Sequence, residues 1–247
     1  MPNFHIRGIA AAFAFLLTTA VSHAALLDWN SQNFSGTSKN YNVDGVGGND
    51  ITVSYVASSG VQFVSNPSST TVDGIPSLAF PAQTLVDNAH TVTVTITFTG
   101  TYATTGVNAS FSLIDVDMFL PQFQDQVSVT AKNSLGAAVT LFGSNNPGAL
   151  NTVTGNNTTN PMAMGSGNAT DSLGNVNIST TDRAVSSITF VWNNPAASST
   201  FGNQTIGLGN ITFTAAPEVG SGSAALLLCG GLLAFGRRRQ SIGQAAA

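Results

Sequence analysis

The chain holds one cysteine, Cys229, and three histidines, and only 7% of its residues carry a charge. Each shortage closes off a class of chemistry. A lone cysteine makes no disulfide within the chain. His5 and His23 lie close to the N-terminus, so His90 is the only histidine left for the remainder. One histidine without a cysteine cannot supply the tetrahedral nitrogen and sulfur ligands of zinc. A serine hydrolase needs a base beside its nucleophile, yet His90 opens the run "HTVTVT" with no GxSxG around it. Between residues 25 and 215 there is no glutamate, and the ten aspartates are scattered. That is a poor supply of tunable acids for a glycosidase pair, although composition alone leaves one open. The expectation is a protein that is not an enzyme, with a hydrolase as the least favoured reading.

What is present begins with a leader. Met1 to Gly8 carries Arg7, Ile9 to Val21 is apolar, and Ser22-His23-Ala24 places small residues at the third and last positions. This is the layout of a secretory signal peptide over residues 1–24, and the apolar run is short for a membrane span. The expected exported body, residues 25–215, keeps only Lys39, Lys132 and Arg183 as bases. Three bases against ten aspartates leave it a formal charge of −7. A body of that sign repels a phosphate backbone, so no nucleic-acid partner is expected. At about 190 residues it is long enough to bury a core without disulfides.

The body reads as β nearly throughout. In "TVTVTITFTG", Val92, Val94, Ile96 and Phe98 alternate with threonines, the pattern of a strand with one buried and one wet face. Similar runs start at Ile51, Val61, Ser110, Gln126, Ala137, Asn175, Val185 and Gln204, with Gly-, Asn- and Ser-rich turns between most of them. No helical period stands out. Nine or more short strands predict an all-β fold, an antiparallel β-sandwich of jelly-roll type in one domain. Residues 66–89 and 143–174 read as two long connections, expected at one end of the sandwich and carrying any recognition. Trp29, Tyr55, Phe63, Phe111, Phe190 and Trp192 are expected in the core, although one exposed ring could offer a platform for sugar stacking.

One polar constellation stands apart. In "SFSLIDVDMFLPQFQDQV", Asp115 and Asp117 are two apart at the end of a strand, on the side of Phe111 and Leu113, with Asp125 across a loop. Carboxylates on an apolar face are costly when bare. Calcium, which accepts carboxylates and amide oxygens in loose geometry, would relieve the cost at Asp115, Asp117 and Asp125, with Gln124 and Gln126 nearby. The alternative is that Asp115 and Asp117 cap turn amides at the rim and pair with Arg183.

The tail carries the last signal. Ala224 to Gly236 is uncharged, and counting back to Val219 gives eighteen residues, followed by Arg237, Arg238 and Arg239. Residues 219–236 would make a marginal transmembrane helix, with the arginines on the cytoplasmic side. The order Pro217-Glu218, a linker through Gly220-Ser221-Gly222, a Leu/Gly/Ala stretch and the arginine cluster resembles the PEP-CTERM sorting domain. It is close to the VPDSG-type variant, because Val219 stands where the namesake family has a second proline. The resemblance covers residues 216–241. It implies recognition by an exosortase, a membrane protease-transpeptidase, on exported proteins of Gram-negative bacteria that make extracellular polysaccharide. The body is also similar to uncharacterised β-sandwich regions that precede such tails. The expected function is a structural or adhesion protein of the cell surface or biofilm matrix, anchored in the inner membrane by its tail before processing. A carbohydrate-binding module using the long loops is the alternative.

Overall fold

The computed structural model describes residues 24–180, 184–195 and 203–215. The signal peptide, Arg183 and the sorting tail with Pro217, Glu218, Gly220 and Arg237 to Arg239 lie outside these described residues, except that Ala24 begins the first strand.

The described chain is all-β and antiparallel. In order, β1 is Ala24–Leu27, β2 Ser38–Tyr41, β3 Ile51–Ala57, β4 Ser68–Val72, β5 Ile75–Ala82 and β6 Val92–Phe98. A five-residue helix, α1 (Thr101–Thr105), precedes β7 (Val107–Ile114), β8 (Met118–Phe119), β9 (Phe123–Gln124) and β10 (Gln126–Asn133). Then come β11 (Ala138–Val139), β12 (Phe142–Asn145), β13 (Asn151–Thr154) and β14 (Met162–Gly165). A 3-10 turn at Ser172–Gly174 leads into β15 (Val176–Ser179), β16 (Val185–Asn193), β17 (Gln204–Gly209) and β18 (Ile211–Ala215). Sixteen strands form one curled sheet, and β8 and β9 form a separate hairpin. None of the helices among the described residues is long and apolar enough to cross a membrane.

The two halves of the curled sheet meet at a single pairing, Val185 with Val107. One half runs through β3, β6, β16 and β10. The other runs through β15, β7, β17 and β5. In β6 the alternation works as read from sequence, with Val92, Val94, Ile96 and Phe98 all buried. In β16, Ile188, Phe190 and Trp192 are buried, and so is Val185, which breaks their parity. A bulge against Lys132 and Asn133 supplies the shift, turning Val185 inward where the halves join. Rings close the core between the halves: Phe80 meets Phe190 at 6.2 Å, and Phe98 meets Phe213 at 5.1 Å. Trp29, Phe111, Phe190 and Trp192 are buried as expected, while Tyr55 and Phe63 are partly buried against the same core.

Both long connections were expected as loops and are not. Residues 66–89 contain β4 and β5, joined by the two-residue turn Asp73-Gly74, where φ is 51° and 75°. Two left-handed residues make a tight hairpin turn suited to strand twist. β5 lacks clean alternation because both of its faces are covered. Leu78 and Phe80 enter the main core, whereas Ala79 joins Val72 and Ile114 in a second, smaller cluster. Residues 143–174 contain the β13–β14 hairpin. The run from Val61 forms no strand and contributes only an isolated bridge, Phe63 to Ala82. The run from Gln204 is two strands, since Ile206 and Leu208 and then Ile211 and Phe213 point inward across a break at Asn210.

Position along β7 sets the geography of the molecule. Its first residue, Val107, pairs with Ala215, and Thr214 pairs with Ala24. Both ends of the body therefore meet at one pole. Ile114 ends β7 at the opposite pole, seven residues and about 23 Å away.

Candidate functional site

The pole beyond Ile114 gathers carboxylates. The expectation that Asp115 continues the strand, on the face of Phe111 and Leu113, is corrected. β7 ends at Ile114, and Asp115 takes φ 66°, a left-handed conformation that aspartate tolerates better than most residues. The chain turns there, so the i, i+2 rule lapses. Asp115 is half-buried, while Asp117 and Asp125 are almost wholly buried.

Backbone contacts hold the turn. Val116 N donates to Gly174 O at 2.8 Å, Met118 N to Gly167 O at 3.0 Å, and Asp125 N to Asp117 O at 2.8 Å. Gly165 fits because nothing larger would: a Cβ there would lie 1.9 Å from Asp117 O. The Asp117 carboxylate accepts from Ala169 N at 2.9 Å. Asp125 accepts from the Trp192 indole N–H at 2.8 Å and from Asp117 N at 3.4 Å. Capping of a turn amide thus holds for Asp117. For Asp115 no hydrogen bond is made within the described residues, and its suggested partner Arg183 lies outside them. Gln124 Nε2 donates to Gly165 O and Gln126 Nε2 lies 3.0 Å from Met162 Sδ, so neither amide bonds to the acids.

Two acids join that were not singled out from sequence. Asp73, in the β4–β5 turn, lies close enough to raise the pKa of both Asp115 and Asp117. Asp171 does the same to Asp73, whose carboxyl is already pushed up by burial. Burial, then the charges of Asp117 and Asp73, raises Asp115 to about 8. Burial raises Asp117 to about 6 against the opposing pull of the Ala169 N–H. Asp125 is pushed well above the usual carboxylate range by burial, with the Trp192 N–H working the other way. Among the described residues the single base touching a carboxylate is His90, whose Nδ1 lies 2.7 Å from Asp87 Oδ1 in a local turn. The pole is therefore a set of carboxyls that repel one another, with no cation beside them among the described residues. Among the described residues no group of three or more His, Cys, Asp or Glu side chains is placed to hold a metal ion.

Fold and site together define an all-β antiparallel domain with Ala24 and Ala215 at one pole and a cluster of mutually repelling carboxyls at the other. Comparison with family models, with curated proteins and with solved structures finds no match.

Proposed function

We propose that this chain is an exported, non-enzymatic protein of the cell surface or extracellular matrix of a Gram-negative bacterium. Its body is a jelly-roll-like sandwich delivered by a signal peptide and sorted through a PEP-CTERM-like tail by an exosortase-type protease. The observation that carries this reading is the pairing of β1 with β18, Ala25 opposite Phe213. A leader ending at Ala24 and an anchor after Ala215 would leave the body at one pole. A tail embedded in the membrane would hold that pole inward and present the Asp115 pole outward, toward exopolysaccharide and other matrix partners. Calcium is part of the same proposal. A divalent cation drawn to Asp115 and Asp117, beside Asp73, and completed by backbone oxygens and water, would offset repulsion that no base among the described residues offsets.

The sorting half is tested by following the full chain in its own cell envelope. Replacing Arg237, Arg238 and Arg239 with Gln should weaken retention and send more body into the medium. Mass spectrometry of the mature protein should show a new C-terminus upstream of Arg237. Unchanged membrane association in that variant, together with an intact Ala247 terminus, would make the tail a permanent anchor and sink the sorting proposal.

A further inference from the structure

The wet face of β7 and its neighbours is hollowed into a groove of about 410 Å³, within the range of small-ligand sites, about 300–1,000 Å³. Its floor is set by register. Ser110 lies between Ser179 on β15 and Thr212 on β18, and Ser112 lies beside Asn177. These side chains point away from the core that Ala109, Phe111 and Leu113 enter, because strand neighbours alternate. The result is a patch of short hydroxyls and amides spaced by the sheet at about 4.8 Å across strands. Ile75 and Pro76, from the start of β5, add an apolar wall.

Three features of the groove point to one kind of occupant. Among the described residues no charged side chain lines it, so a phosphate or carboxylate ligand would find no counter-charge there on a body that is already acidic. Ser112 Oγ donates to Asn177 Oδ1 at 2.6 Å. That bond orients the pair, leaving the Asn177 N–H groups to donate and the Ser112 oxygen to accept. Asn175 also lines the groove. It is only 6% exposed, and its Oδ1 is enclosed with no hydrogen-bond partner among the described residues. An unpaired buried amide oxygen is costly, and a turn of this side chain toward an occupant of the groove would give it a partner.

We propose that this groove binds a neutral glycan segment. The hydroxyl and amide floor meets the sugar hydroxyls, Asn175 turns outward to complete its bonding on the ligand, and the Ile75–Pro76 wall packs against the C–H face of a ring. This goes beyond the surface placement proposed above and does not depend on how the tail is processed. It also puts recognition on the sheet face rather than on loops.

The test uses the full chain as its own cells make it and calorimetric titration with neutral hexasaccharides: β-1,4-glucan, β-1,3-glucan, α-1,4-glucan and β-1,4-mannan. Hexagalacturonate serves as the anionic comparison. At least one neutral member should bind with a Kd of about 1 mM or tighter, and the anionic one should not. Ser110→Trp and Thr212→Trp fill the floor from exposed strand positions and should each weaken binding at least about tenfold with an unchanged melting temperature. Asn175→Ala should weaken it as well, and the two surface variants decide the matter if that protein folds poorly. No binding of any neutral hexasaccharide at about 10 mM overturns the proposal. Binding that survives both tryptophans, or equal binding of hexagalacturonate, overturns it too.

Discussion

The carboxyl pole makes this body's stability run against pH in an unusual direction. Asp115 titrates near 8 and Asp117 near 6 in the folded chain, against about 3.9 for an aspartate in an unfolded one. Between those values the folded state binds more protons than the unfolded state, so stability must fall as pH rises. The contribution is fully present below about pH 4 and is lost as pH climbs through 6 and then 8. Four pH units at about 1.4 kcal/mol each set a ceiling of about 5.6 kcal/mol for Asp115. Water reaches this half-buried carboxyl, and part of its shift is repulsion shared with Asp117, so about 3 kcal/mol is expected for the pole as a whole. For a body of about 190 residues that corresponds to a melting temperature roughly 6–12 °C lower at pH 8.5 than at pH 4.5. Asp115→Asn is the matching perturbation. Asparagine accepts the left-handed backbone at this position, keeps the shape and cannot ionise. The variant should match the wild type at pH 4.5, exceed it by most of that 3 kcal/mol at pH 8.5, and flatten the profile between. Urea unfolding followed by tryptophan fluorescence across that range measures it. A wild type equally stable at both ends, or a variant weaker at pH 8.5, would refute the reasoning. Calcium extends the experiment. At pH 8.5, millimolar calcium should restore part of the lost stability to the wild type and none to an Asp115→Asn, Asp117→Asn double variant. Identical melting in calcium and in chelator would remove calcium and leave protonation as what relieves the cluster.

Two further predictions probe what holds that pole in place. Gly165→Ala should cost at least about 2 kcal/mol, because its Cβ would overlap backbone at Asp117 O rather than a side chain able to swing aside. Denaturation midpoints measure this, and a neutral result would mean that β14 and the Asp117 turn are not packed as described. Trp192→Phe keeps a buried ring but removes the N–H that Asp125 accepts, at a cost of about 1–3 kcal/mol. Thermal unfolding at pH 7 reads that loss, and a variant as stable as the wild type would show that the indole–carboxyl bond contributes nothing net.

Where a strand has one wet face, the residues alone declare it. β6 and β10 could be read directly, because alternation of apolar and polar side chains is a local property of an extended chain. The same holds for the overall class, since Gly-, Asn- and Ser-rich turns between short β runs admit few other folds. The β4–β5 hairpin was written locally too, in Asp73-Gly74, a dipeptide suited to two successive left-handed residues. It is hidden because β5 is covered on both sides, which erases the period by which strands are recognised. Only the tertiary structure decided the rest. No local rule announces that the chain turns at Asp115, because its positive φ rests on contacts such as Val116 with Gly174. Asp73 and Asp171 join the pole because a hairpin and a distant 3-10 turn arrive at the end of β7. Repulsion between charges depends on distance in space, and separation along the chain carries no record of it. The groove is likewise a product of register. Ser110, Ser112, Asn177, Ser179 and Thr212 are ordinary wet-face residues in sequence, and pairing β15 and β18 on either side of β7 turns them into one surface.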